Sequence, residues 1–142
     1  MNEHIGLSRG GKNTKIHAIV DGLGNPIHVQ LTGGQVNDVN VAEELLAQIP
    51  LHEKTIVMAD KAYGSNSFRL AIETAGASYC IPPKTNQKNP WDCDWWQYKE
   101  RSNVECFFQK LKQFRRIATR YEKLAVRFLA FVHVGCISAL LR

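Results

Sequence analysis

The chain has 142 residues, enough for one domain with a core that needs neither disulfides nor a structural metal. Apolar residues make up 44% and charged residues 22%, a globular mixture that excludes a disordered tail and a membrane-embedded protein. The formal net charge of +5 favours polyanionic partners without requiring one.

In chain order, residues 1–13 have loop chemistry, with the Gly10-Gly11 pair and no periodic apolar face. Residues 15–20 are strand-like, residues 21–26 form a turn, and residues 27–31 alternate apolar and polar side chains, so the three predict a β-hairpin. Asp38 is the expected N-cap of a helix over 39–48, where Ala42, Leu45, Leu46 and Ile49 recur at helical spacing and Pro50 ends the pattern. That stripe should pack on the sheet.

Residues 55–59 are a short continuous apolar run, expected as a strand buried on both faces that delivers Asp60 at its C-terminal end. Ser65 should cap a helix carrying Phe68, Ala71, Ile72 and Ala75, with Gly76 closing it in the left-handed conformation, before a strand over 78–81 meets Pro82-Pro83. This is a βαβ unit. Residues 84–94 read as a basic loop containing Lys84, with Trp91, Trp95 and Trp96 around its exit. Two helices, 96–116 and 124–141, complete the chain.

Charge is unevenly spread. Arg9, Lys12 and Lys15 cluster early, while Lys110, Lys112, Arg115, Arg116, Arg120 and Lys123 cluster late, so two surfaces could neutralise backbone phosphates. Cys80, Cys93, Cys106 and Cys136 form no C-x-x-C pair and read as reduced, mostly buried small hydrophobes. The apolar run 128–141 contains His133, follows Arg127 and is too short for a bilayer; no signal segment opens the chain, so a cytoplasmic location is expected. The five histidines lack ligand spacing.

On an α-helix residues advance about 100° each, so Tyr98, Arg101, Glu105 and Lys112 would fall within about a 60° stripe. Val104, Phe107, Phe108, Leu111 and Phe114 occupy the neighbouring face and should dock the helix on a sheet, holding Glu105 near the interior.

The pattern Tyr98-x-x-Arg101-x-x-x-Glu105, followed after six residues by Lys112, resembles the Y-R-E-K signature of DDE transposases of bacterial insertion sequences, chiefly the insertion-sequence-five and four families. Ser8-Arg9-Gly10-Gly11 leading to Thr14-Lys15-Ile16-His17, the run Ala59-Asp60-Lys61-Ala62-Tyr63, and residues 107–116 extend the resemblance from about Gly6 to the C-terminus. It implies an α/β, ribonuclease H-like catalytic domain over 1–142, with a mixed sheet flanked by helices. Two Asp and one Glu would hold two divalent ions, Mg²⁺ or Mn²⁺. By position Asp60 matches the second Asp and Glu105 the Glu, with Tyr98, Arg101 and Lys112 orienting Glu105 or contacting DNA phosphate.

The family's first Asp lies on a strand upstream of the Ser-Arg-Gly-Gly segment, so the resemblance implies an N-terminally truncated domain lacking its first strand. Glu3, Asp21 and Asp38 are the nearest substitutes; they sit in a loop, a turn and a cap. The implied partners are double-stranded DNA at insertion-sequence ends and either a second copy or an upstream-frame product, with no membrane. Arg9, Lys12, Lys84, Arg115, Arg116 and Arg120 are the DNA-binding candidates, and the trio of tryptophans could stack on unpaired bases or simply pack. The expected function is transposition by metal-dependent phosphoryl transfer in the intact enzyme. The alternative is an inactive DNA-binding or subunit-interaction remnant that interferes with a full-length transposase.

Overall fold

A computed structural model describes residues 4, 6–8, 11–120 and 123–141. The chain divides into two compact units, Met1–Val36 with Ser102–Arg142, and Asn37–Arg101.

In the first unit, β1 (Gly6–Ser8), β2 (Gly11–Val20) and β3 (Pro26–Gly33) form an antiparallel sheet in that spatial order. The β2–β3 hairpin is as the alternation predicts, with Ile16 opposite Leu31 and Ala18 opposite Val29. β1 corrects the expected loop: Gly6 pairs with Asn13, Leu7 with Lys12 and Ser8 with Gly11. Its backbone pairs with β2, and a three-residue segment with two small residues has no side-chain periodicity to announce it.

Ile16, Ala18, Val20, Val29 and Leu31 turn toward three helices, α4 (Ser102–Lys112), α5 (Arg115–Ala118) and α6 (Ala125–Leu140). The helices contribute Phe107, Leu111, Ile117, Phe128, Val132 and Cys136 to the core. Gly135 permits their close approach, since a Cβ there would stand 2.7 Å from Ile117 Cδ1 and 2.8 Å from Leu111 Cδ1.

The second unit begins with α1 (Asp38–Leu46), capped by the Asn37 side chain, which accepts from the Val39 N–H at 3.1 Å. The cap lies one residue before the expected Asp38. β4 (Ile56–Met58), α2 (Asn66–Thr74) and β5 (Ser78–Cys80) form the expected βαβ unit, with the two strands parallel. Ser65 Oγ accepts from the Phe68 N–H at 3.1 Å, and Gly76 at φ 84° ends the helix. Leu46, Phe68, Ile72, Ala77 and Ile81 make the core, joined by Val57 of β4. The stripe of α1 packs chiefly on α2 and the Lys61–Tyr63 turn rather than on the sheet as expected.

β4 is not buried on both faces as expected, because Ile56 is 39% exposed. In this two-stranded sheet Val57 turns to the core while its neighbours turn away. The expected helix 96–116 is also interrupted. It runs as α3 (Trp95–Tyr98), a 3-10 turn (Lys99–Arg101), then α4, and extended Phe114 separates α4 from α5.

Candidate active site

Asp60 stands two residues beyond β4 and caps the Lys61–Tyr63 3-10 turn, its Oδ1 accepting from the Ala62 N–H at 2.8 Å. The cap fixes the half-buried carboxylate at the mouth of the βαβ unit, beyond the C-terminal end of the strand. The Tyr63 phenol is pushed up to about 12, first by burial and then by the negative charges of Asp38 and Asp60. The same unit brings Tyr98 into reach of the Asp60 charge, with Arg101 beside it. Burial raises the Tyr98 phenol and Asp60 and Cys93 push it the same way, while Arg101 opposes them. The Arg101 guanidinium carbon lies 5.4 Å from the Tyr98 ring centroid, and Trp95 meets that ring edge-on at 5.6 Å. Asp94 organises the helix entrance, its Oδ1 accepting from the N–H groups of Trp96 and Gln97 at 3.0 and 3.1 Å.

Glu105 lies in the first turn of α4 and is exposed, a correction to its expected place near the interior. The helix buries Phe107 and Leu111, and Glu105 projects well away from both at 100° per residue. Lys112, also exposed, is two turns further along nearly the same side. The predicted single stripe therefore runs in two parts. Through the 3-10 turn residues three apart eclipse, so Arg101 stacks over Tyr98, while Glu105 and Lys112 keep α-helical spacing in the other unit.

The basic candidates differ in their surroundings. Lys84 and Arg115 are exposed; Arg116 is exposed with its guanidinium carbon 5.0 Å from the Phe131 ring centroid. Arg120 is an internal brace, donating from Nη1 to Thr14 Oγ1 at 2.7 Å and from Nη2 to the Lys123 carbonyl at 2.6 Å. Arg9 lies outside the described residues, as does Glu3, and Lys12 is described through its backbone pairing in β2. Trp91 packs, donating from Nε1 to the Ile81 carbonyl at 2.7 Å, under the Arg69 guanidinium at 3.5 Å from its ring centroid. Trp96 is 80% exposed, with Lys99 Nζ 4.5 Å from its ring centroid.

Asp21 is a turn residue. Its Oδ1 accepts from the Leu23 and Asn25 N–H groups, both at 2.9 Å, and its pKa is lowered chiefly by the Asn25 hydrogen bond. Among the described residues no three His, Cys, Asp or Glu side chains gather as a metal-ligand group. No helix among them is long and apolar enough to cross a membrane.

Sequence spacing missed two features of this unit. One is Tyr63, between two carboxylates; the other is the approach of Cys80 to Cys93, whose sulfurs lie 3.7 Å apart. Twelve intervening residues give no motif for the second, and the family-like run 59–63 contains the first without marking its role.

Two family models, both described as Transposase DDE domain, match residues 6–90 and 57–141. A Brucella ovis protein named as a transposase for insertion sequence element IS6501 is 41% identical over 132 residues, covering 91% of this chain and 98% of that protein. A Burkholderia cepacia protein named as a transposase for insertion sequence element IS402 is 30% identical over 137 residues, covering 90% of this chain and 63% of that protein. The chain thus spans nearly all of the first relative and less than two thirds of the second.

Proposed function

The chain belongs to the DDE-domain transposases of bacterial insertion sequences, and from that membership we propose that residues 1–142 are a ribonuclease H-like catalytic region that binds element-end DNA and cuts and joins its strands within a complete assembly. The observation that carries this reading is Asp60, a carboxylate fixed by a backbone cap two residues beyond a parallel strand, with Tyr98 in its field and Arg101 beside Tyr98.

The donors suit a hard divalent ion in kind. Asp60 keeps one carboxylate oxygen beyond its cap bond, and Glu105 adds a carboxylate from α4. In number they fall short, since no three potential ligands gather among the described residues. The proposal is therefore that Asp60 and Glu105 are two of three ligands and that an Asp-bearing strand supplies the other. Mg²⁺ or Mn²⁺, when bound, supplies positive charge for an in-line displacement at phosphorus. Tyr98 and Arg101 orient the acidic groups, and Lys112, Lys84, Arg115 and Arg116, with Arg9 and Lys12, neutralise the phosphodiester backbone. Arg120 contributes by bracing β2 against the segment before α6.

Cleavage of element-end DNA tests the proposal in three samples: the chain alone, the chain extended upstream by an Asp-bearing strand, and the extended chain with Glu105→Gln. The first should cleave little, the second should cleave with Mg²⁺, and the third should be inactive. Robust metal-dependent cleavage by the chain alone would overturn the three-ligand assignment.

The exposed place of Glu105 on α4 favours one second reading, an inactive DNA-binding or subunit-interaction remnant that interferes with a full-length transposase. Under that reading the extended chain stays inactive, while the chain alone still inhibits a full-length enzyme in trans.

A further inference from the structure

Cys80 ends β5 and is 3% exposed; Cys93 is half-buried in the segment that leads to α3. Their sulfurs stand 3.7 Å apart, and Cys80 Sγ also donates to the Asp94 carbonyl at 3.3 Å. The approach is held from outside the pair. Trp91, two residues before Cys93, donates to the carbonyl of Ile81, one residue after Cys80, and Arg69 covers the Trp91 ring. The two thiols are thus kept facing each other by contacts that do not depend on sulfur.

We propose that Cys80 and Cys93 are a redox-responsive thiol pair, which a hydroperoxide closes into a disulfide that ties β5 to the entrance of α3. Cys93 is the more accessible sulfur and reacts first. It attacks a peroxide oxygen, the O–O bond breaks, water leaves, and Cys93 becomes a sulfenic acid. Cys80 then gives up its proton and attacks the Cys93 sulfur, forming the S–S bond and releasing a second water. Two thiols lose two electrons and two protons, and hydrogen peroxide is reduced to two waters. Burial pushes the Cys80 thiol up to about 11, so it stays protonated until an electrophilic sulfur forms beside it.

The closure acts on the candidate site through one atom. The Asp94 carbonyl accepts from both the Cys80 thiol and the Tyr98 N–H, the latter at 2.9 Å. Oxidation removes the thiol donor and replaces it with a covalent tether one residue before Asp94, at the root of the helix that carries Tyr98. The thiol geometry stands whether or not the chain supports transposition.

The test uses the full chain carrying Cys106→Ser, because Cys106 is exposed and could link chains to each other. The reduced protein is treated with hydrogen peroxide and followed by intact mass and non-reducing peptide mapping. The expected result is a monomer that has lost two hydrogens, yields a linked Cys80–Cys93 peptide, melts at a higher temperature and reverts with dithiothreitol. Phenylarsine oxide, which bridges two adjacent thiols, should bind the reduced chain one to one and fail to bridge Cys93→Ser. A folded chain whose map shows two free thiols after peroxide, or Cys93 overoxidised with no linked peptide, would overturn the proposal.

Discussion

Asp60 combines a structural cap with a proposed ligand role, and substitution can separate the two. Asn caps a helical turn about as well as Asp, so Asp60→Asn should leave stability within about 0.5 kcal/mol, whereas Asp60→Ala should lose about 1 kcal/mol. In the extended, active chain both changes should abolish cleavage, and urea titrations beside cleavage assays would show stability and activity moving independently. Tyr98→Phe or Arg101→Lys should lower cleavage about 10–100-fold, the range for residues that act by orienting a ligand. Tyr63 offers a pH test. Its phenol is raised in the folded state to about 12, so its contribution to stability is whole below the ordinary value of 10 and is lost as pH climbs through 12. Unfolding free energy measured from pH 9 upward should fall across that window, and Tyr63→Phe should remove this component of the fall. The strand end beside Asp60 was legible because an apolar run forms β4, whereas the proposed role of Glu105 rests on the family-like spacing alone. The Tyr63 environment and the Cys80–Cys93 approach were not legible, because both depend on contacts between segments distant in sequence.

At the scale of elements, local chemistry told most where side chains carry it. Ser65 and Gly76 bound α2 as expected, and the alternation at 27–31 gave β3 and its hairpin. It told least where backbone or tertiary packing decides. β1 pairs through its backbone, and α4 ends where Phe114 turns toward the core packed under Gly135. Gly135→Ala should cost about 1–3 kcal/mol, because Ile117 and Leu111 would have to move aside. Gly76→Ala should cost about 1–2 kcal/mol for a different reason: nothing crowds the new methyl, and the penalty is the left-handed backbone alone. Thermal melts of the two variants would check both values. The 3-10 turn at Lys99–Arg101 had no Gly or Pro to announce it, so the stripe drawn from ideal α-geometry placed Tyr98 and Arg101 nearer to Glu105 in angle than to each other.

For the molecule as a whole, α6 carries a second apolar stripe. Val126, Val134 and Ile137 are 63%, 60% and 56% exposed, on the side of the helix opposite buried Phe128, Val132 and Cys136. If a second copy is the partner that the family resemblance implies, this face is open to it, and Val134→Glu with Ile137→Glu should then shift sedimentation toward the monomer without unfolding the chain. DNA affinity should be electrostatic. With roughly four to six phosphates neutralised, it should fall about 10²–10³-fold between roughly 50 and 200 mM salt and differ little between sequences.

Asp60 and Glu105 are proposed to share a divalent ion. Iron-directed backbone cleavage tests this most directly, with Fe²⁺ and ascorbate generating short-range radicals wherever the ion binds. Cuts are expected near both residue 60 and residue 105, suppressed together by excess Mg²⁺ and lost together in Asp60→Asn or Glu105→Gln. Cuts confined to one of the two segments, or cuts near residue 60 that persist in Glu105→Gln, would contradict it.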